Sequence, residues 1–218
     1  MDLGLKGRRA LVTGGSKGIG RRIAEVFAEE GADVSICARH ADEVAATAEA
    51  LAKHGTTVLG SAVDVADGEA LAGWVADSAE RLGGVDIVVA NVSALAIPDT
   101  PENWQAGFDV DMMHTVRLVN AAMPHLERSE GGSIVTVSSV SGREVDFAAG
   151  PYGTFKAALI HYTQGLAYQL AGKGIRANSV SPGNVYFPGG VWDNIEQNLP
   201  DLYGMALGLN PTGRMATP

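Results

Sequence analysis

"RALVTGGSKGIG", residues 9–20, sets an apolar run against a glycine-punctuated turn. The residues that follow carry Ile19, Ile23, Val26 and Phe27 at helical spacing and reach Gly31, the residue type that most readily closes a helix. A strand that feeds a helix through a tight turn is half of a βα unit. Whether that unit repeats decides the fold.

It repeats. Apolar runs at 9–14, 33–38, 57–63, 85–90, 133–138 and 176–181 predict six strands, and helical patterns lie between them. The longest of these are "NWQAGFDVDMMHTVRLVNAAMPHLERSE" and "PYGTFKAALIHYTQGLAYQLAGKG", each expected as one helix. The strands are almost continuously apolar, as they are when helices cover both faces of a parallel sheet. The expected class is therefore α/β, a Rossmann-like doubly wound parallel sheet with helices on both faces. No linker or internal repeat divides the chain, so 1–218 is read as a single dinucleotide-binding domain with a substrate loop or lid over about 184–210. After "SPGN" the tail reads as irregular. A further C-terminal strand is expected to be missing, leaving strand six as an open edge.

Composition narrows the partners. The chain has 218 residues, 46% hydrophobic and 19% charged, with a net charge of −9, which disfavours nucleic acid. No apolar run approaches the ~20 residues of a membrane span, and the N-terminus has no signal-peptide pattern. A cytoplasmic protein without a membrane partner is expected. Cys37 is the single cysteine and reads as a buried strand residue. The five histidines lack ligand spacing and read as surface or helix residues, so no metal site is expected.

In the turn, Gly14, Gly18 and Gly20 stand in G-x-x-x-G-x-G spacing, with Ser16, Lys17 and Ile19 between them. Such a loop brings backbone N–H groups and a helix N-terminus against a pyrophosphate. An NAD site places an acid at the end of the second strand, but here the sequence reads "CARH". Arg39 and Lys17 suit a 2′-phosphate, so NADP(H) is expected over NAD(H). Asp64 and Val65, after the third strand, are expected beside the adenine. Asp64 reads equally well as a helix N-terminal acid.

"PYGTFKAAL", residues 151–159, stacks Tyr152 over Lys156 one helical turn apart. The pair is either the edge of an amphipathic helix or a phenol whose proton is made mobile. "SIVTVSSVSG", at the end of the preceding strand, supplies serines to the same sheet edge and favours the second reading.

With "TGGSKGIG", "SIVTVSSVSG", "YGTFK" and "NSVSPG" in this order, the chain resembles the short-chain dehydrogenase/reductase family over residues 6–188, in its compact branch that includes 3-oxoacyl-ACP-reductase-like members. The resemblance implies a catalytic set on Ser139, Tyr152 and Lys156, with Ser138 discounted by its spacing. Tyr152 is expected to pass a proton to or from a carbonyl or alcohol oxygen, tuned by the Lys156 charge. Lys156 is expected to hold the nicotinamide ribose, and Ser139 to hydrogen-bond the substrate oxygen. Asn91 remains from the family's fourth-strand motif, which here reads "ANVS". Pro182, Gly183 and the backbone of Val185 are expected near the nicotinamide amide, with Phe187 where the family often has threonine.

Asp111 in "WQAGFDVDMM" takes the position of the family's fourth catalytic residue, an asparagine. A carboxylate there would raise the tyrosine pKa and shift the pH optimum. The loops containing Leu95, Ala96, Ile97, Val145, Phe147, Tyr186, Phe187, Trp192 and Tyr203 predict an apolar substrate wall, or a lid packed on itself. The leading reading is an NADP(H)-dependent oxidoreductase for an apolar ketone or secondary alcohol. Its alternative is a dinucleotide-binding sensor of the same fold with impaired turnover. By resemblance a homo-oligomer, dimer or tetramer, is expected.

Overall fold

A computed structural model describes residues 3–218 and divides them into two compact units, one ending at Ser181 and the other Pro182–Pro218. The first contains six strands: β1 (Arg9–Thr13), β2 (Asp33–Ala38), β3 (Val58–Ala62), β4 (Ile87–Ala90), β5 (Ser133–Val137) and β6 (Arg176–Val180). Each lies inside the run expected for it. All pairings are parallel, in the order β3-β2-β1-β4-β5-β6, so the chain reverses its direction of winding between β1 and β4. Ligands of such sheets bind outside the carboxyl ends of the strands at that reversal.

Successive strand residues point to opposite faces, and the core divides accordingly. Ala10 and Val12 pack with Ala24 and Ala28 of α1 (Gly18–Glu29) and with Val44 and Leu51 of α2 (Ala41–Ala52). Leu11, between them, faces the other layer. There it meets Leu71 and Trp74 of α3 (Gly68–Leu82) and the helices that follow β4 and β5. At the amino ends of β1 and β4, buried Asp86 receives the Arg9 guanidinium at 2.7 and 2.8 Å and the Ser129 hydroxyl at 2.5 Å. Burial pushes the Asp86 carboxyl up, but those donors overcome it and hold the group at about 2.

The helix expected over 103–130 is interrupted. α4 (Pro101–Ala106) runs into a π-helical turn, Gly107–Met113, before α5 (His114–Leu126) resumes. π turns widen a helix by a residue and concentrate at functional sites. This one contains Asp111, buried and facing α6 (Pro151–Leu170). The interruption coincides with tertiary contacts: Asp111 has partners on two other elements.

The sheet ends at β6, and no seventh strand pairs with it among the described residues. The second unit is not irregular as expected: it forms α7 (Val191–Asn198) and α8 (Pro200–Gly208). Trp192 packs with Ala206 and Met215, and Tyr186 and Tyr203 close over them. The aromatics of this tail thus build a small core of their own, the second of the two readings weighed for them. Among the described residues, no helix is long and apolar enough to cross a membrane.

Candidate active site

The glycine turn leaves β1 at the carboxyl edge and opens α1. The N-cap residue Lys17 makes no side-chain capping bond, so the first-turn N–H groups have no side-chain acceptor of their own. Gly20 is required by contact, because a Cβ there would lie 2.2 Å from the Gly14 carbonyl oxygen. Ser16 is buried behind the loop, its carbonyl accepting from Thr47 Oγ1 and its hydroxyl donating to Glu43. Lys17 and Arg39 are exposed, and neither forms an ion pair among the described residues. Uncapped amides, a turn that admits no Cβ at Gly20 and two unpaired cations fit a dinucleotide phosphate.

Asn91 braces this loop from the next strand. Its Nδ2 donates to the carbonyls of Thr13 and Gly14, and its N–H donates to Thr13 Oγ1. It therefore shapes the loop from inside the fold. Val65 is buried in the core, and Asp64 is exposed with Oδ1 accepting from the Ala66 N–H. Asp64 was weighed as a helix N-terminal acid; the N-cap of α3 is Asp67, which accepts from the Glu69 and Ala70 N–H groups.

The chemistry-bearing side chains meet beyond the ends of β4 and β5. α6 begins at Pro151, so Tyr152 and Lys156 project from its first two turns. The Lys156 side chain is 2% exposed; its ammonium donates to the carbonyl of Val137, the last residue of β5, at 3.0 Å. It lies 5.7 Å from the Tyr152 ring centre. Ser139 is the residue after the next, close enough to Tyr152 for its hydroxyl to favour the phenolate. Ser138 is turned away, its hydroxyl donating at 2.7 Å to the Lys156 carbonyl and fixing α6 against β5.

Asp111 completes the group in a way a family asparagine could not. Its Oδ1 stands 3.1 Å from the Lys156 ammonium, and its Oδ2 accepts from the Ala94 N–H at 3.0 Å. Oδ1 has no donor in hydrogen-bond alignment, so that contact is ionic. Both neighbours are donors, a demand that a carboxylate meets and an amide, with one oxygen, does not. Ala94 begins the turn that carries Leu95 in the left-handed region, at φ 51°, with its N–H held by Ser93 Oγ at 3.0 Å. Asp111 thus ties α6 to the loop after β4.

The rise expected of a carboxylate at Asp111 is found, with a larger cause beside it. Tyr152 is raised from its ordinary value: burial raises it most, the Ser139 hydrogen bond opposes, and the carboxylates of Asp111 and Asp146 add to the rise. The Lys156 charge is offset by Asp111, so this geometry keeps the phenol protonated rather than easing its ionisation.

His114 was missed among the histidines read as surface or helix residues. It is fully buried, with Nδ1 against the Val110 carbonyl at 3.1 Å and Nε2 against Thr13 Oγ1 at 3.0 Å. Burial lowers it to about 4, which leaves the ring neutral. It links the π turn to the carboxyl end of β1. The signal was its place on the stripe Val110, His114, Leu118, which faces the sheet. Pro182, Gly183 and Val185 belong to the second unit, where Val185 forms an isolated parallel bridge with Ala216.

A reversal crevice with a glycine loop on one side and a serine-tyrosine-lysine group on the other characterises oxidoreductases that use a nicotinamide dinucleotide. The sequence profile of the short chain dehydrogenase family matches residues 8–197. The chain belongs to the short-chain dehydrogenase/reductase family. It is 42% identical over 202 residues to isoepoxydon dehydrogenase patN of Penicillium expansum, covering 88% of this chain and 76% of that protein. It is 33% identical over 220 residues to L-fucose dehydrogenase of Bos taurus, covering 97% of this chain and 79% of that protein. Among solved structures, L-sorbose reductase of Gluconobacter frateurii, complexed with NADPH and L-sorbose, superposes with a TM-score of 0.90 at 32% identity. That match covers 100% of this chain and 87% of the reductase.

Proposed function

We propose that the chain is an NADP(H)-dependent carbonyl reductase that interconverts an apolar ketone and its secondary alcohol. The observation that carries this reading is the convergence of Ser139, Tyr152 and the buried Asp111–Lys156 pair at the carboxyl edge beside the glycine loop. When bound, the nicotinamide supplies hydride to the carbonyl carbon or takes it from the alcohol carbon.

In reduction, Tyr152 gives its phenolic proton to the carbonyl oxygen as negative charge develops there, so ketone, hydride and proton sum to the alcohol. Ser139 stabilises the same oxygen by hydrogen bonding. Lys156 is positioned to hold the ribose hydroxyls while anchored to Val137 and Asp111. A phenol held above its ordinary value is protonated throughout the neutral range, which suits it to the reductive direction. Oxidation, which needs phenolate, is expected to rise only at alkaline pH.

Arg39 and Lys17 favour a 2′-phosphate, and the NADPH bound by the sorbose reductase is consistent with that choice. Leu95, Val145 and Phe147 are 45%, 93% and 54% exposed on the loops after β4 and β5 and offer an apolar face to substrate. A panel of cyclic enones, ketoses and apolar ketones, each followed by cofactor absorbance with NADPH and with NADH, tests the proposal. NADPH-dependent turnover of an apolar ketone supports it. Dinucleotide binding without turnover of any member replaces it with the sensor reading. Arg39→Ala is expected to raise KM for NADPH roughly 10- to 100-fold and leave NADH unaffected, as loss of a charge-assisted phosphate contact would.

A further inference from the structure

The loop between β5 and α6 contains a carboxylate and a hydroxyl that the proposed reaction leaves without a role. Ser139 Oγ accepts from the Ser141 N–H at 3.2 Å and donates to Ser141 Oγ at 3.3 Å. Ser141 Oγ donates in turn to Asp146 Oδ2 at 2.7 Å, while Asp146 Oδ1 accepts from the Ala148 N–H at 2.8 Å. Each hydroxyl has a single proton. Because Asp146 receives the proton of Ser141, Ser141 Oγ presents only lone pairs to Ser139. The Ser139 proton then has two destinations: Ser141 Oγ, or the oxygen at Tyr152.

The geometry points to Asp146 as a positioning residue that acts through Ser141 to direct the Ser139 hydroxyl, and that sets a negative charge beside the Tyr152 phenol. This deepens the proposed reaction and rests on Ser139 and Tyr152 being its reacting pair. While the site is at rest, Ser139 donates to Ser141 and can accept from Tyr152. When an alkoxide develops, the Ser139 proton swings to it, and the charge-assisted Ser141–Asp146 bond keeps Ser141 from competing as a donor. The groups facing Tyr152 are Asp111 from the π turn, Lys156 from α6, and Ser139 and Asp146 from this loop. Of the two carboxylates, Asp111 is matched by Lys156, whereas Asp146 has no cationic partner among the described residues. Its charge therefore acts on the phenol unopposed.

A substrate-free ultraviolet titration of tyrosinate tests this, with the Tyr152 contribution obtained by subtracting the curve of Tyr152→Phe. Asp146→Asn is expected to lower the Tyr152 midpoint by about half a pH unit, with Ser139 present or replaced by alanine, because a charge acts through space. Ser141→Ala retains that charge and frees the Ser139 proton for the phenolate. It is expected to lower the midpoint with Ser139 present and to leave it unmoved in a Ser139→Ala background, the non-additivity of coupled neighbours. Asp146→Ser is read in the same way and guards against a folding defect peculiar to the amide. An unmoved midpoint in a folded Asp146 variant overturns the proposal, as do equal Ser141→Ala shifts in both backgrounds. No carbonyl compound is present, so failure of the proposed reaction shows separately, as absence of cofactor consumption on the substrate panel.

Discussion

Replacing Asp111 by asparagine changes one oxygen to an amino group where both neighbours are donors. The side chain keeps its volume, so the consequence is electrostatic. If the amide oxygen keeps the Ala94 N–H, the new NH₂ faces the ammonium of a lysine side chain that is 2% exposed. If it turns to Lys156, the NH₂ faces the Ala94 N–H and releases the turn that holds Leu95 in its left-handed conformation. At 3.1 Å the ion pair is worth about 5 kcal/mol in an effective dielectric near 20, before desolvation is subtracted. Breaking a buried pair and leaving one charge uncompensated destabilises a protein by roughly 3–5 kcal/mol. With Val137 still accepting from Lys156, about 3 kcal/mol is expected for Asp111→Asn, or roughly 6–12 °C in melting temperature for a chain of this size. Removing the carboxylate also removes one of the causes that raise Tyr152 and exposes the phenol to the unpaired ammonium. The tyrosine midpoint must fall, and the alkaline limb of alcohol oxidation must move to lower pH. Thermal melts and pH–rate profiles of wild type and variant measure both effects. An unchanged melting temperature together with an unchanged alkaline limb would refute the paired-donor reasoning.

Two further outcomes concern the scaffold. Asp86 titrates near 2 in the folded protein against 3.8 ordinarily, so its stabilisation of about 2 kcal/mol is complete above the unfolded value and lost as pH falls from ~4 through 2. Denaturant titrations at neutral pH and near pH 3 are expected to show that loss in wild type and to show less of it in Asp86→Ala, which itself costs roughly 2–3 kcal/mol because Arg9 is partly exposed. Gly20→Ala forces a Cβ to within 2.2 Å of the Gly14 carbonyl oxygen. Overpacking of roughly 1–3 kcal/mol is expected, read as a rise of roughly 5- to 150-fold in the Kd for NADPH by fluorescence titration.

The sheet was legible because its signals are local. Continuous apolar runs such as 85–90 need no long-range information, and neither does a glycine turn between strand and helix. The Tyr152–Lys156 pair was legible for the same reason, since one helical turn fixes both side chains. The π turn was not, because the residues that Asp111 meets there are Lys156 and Ala94, on other elements. The tuning of the phenol was legible in part: a carboxylate at Asp111 signalled a raised tyrosine, but not the burial that raises it most. A lysine one turn from a tyrosine predicts activation, and only the three-dimensional pairing with Asp111 shows that its charge is matched. His114 looked like one more helical histidine until Thr13, far away in sequence, proved to be its partner. In the tail, Trp192 and Tyr203 signalled an aromatic cluster, but its small core depends on Met215 beyond both short helices.

The most direct test of the account is the turnover of Tyr152→Phe with NADPH on the best ketone of the panel, alongside a cofactor-binding titration. Removing one hydroxyl from a general acid is expected to lower kcat by roughly 10²- to 10⁴-fold while NADPH binding stays within a few-fold of wild type. Turnover by the phenylalanine variant within a few-fold of wild type would contradict the assignment of Tyr152 as the proton carrier.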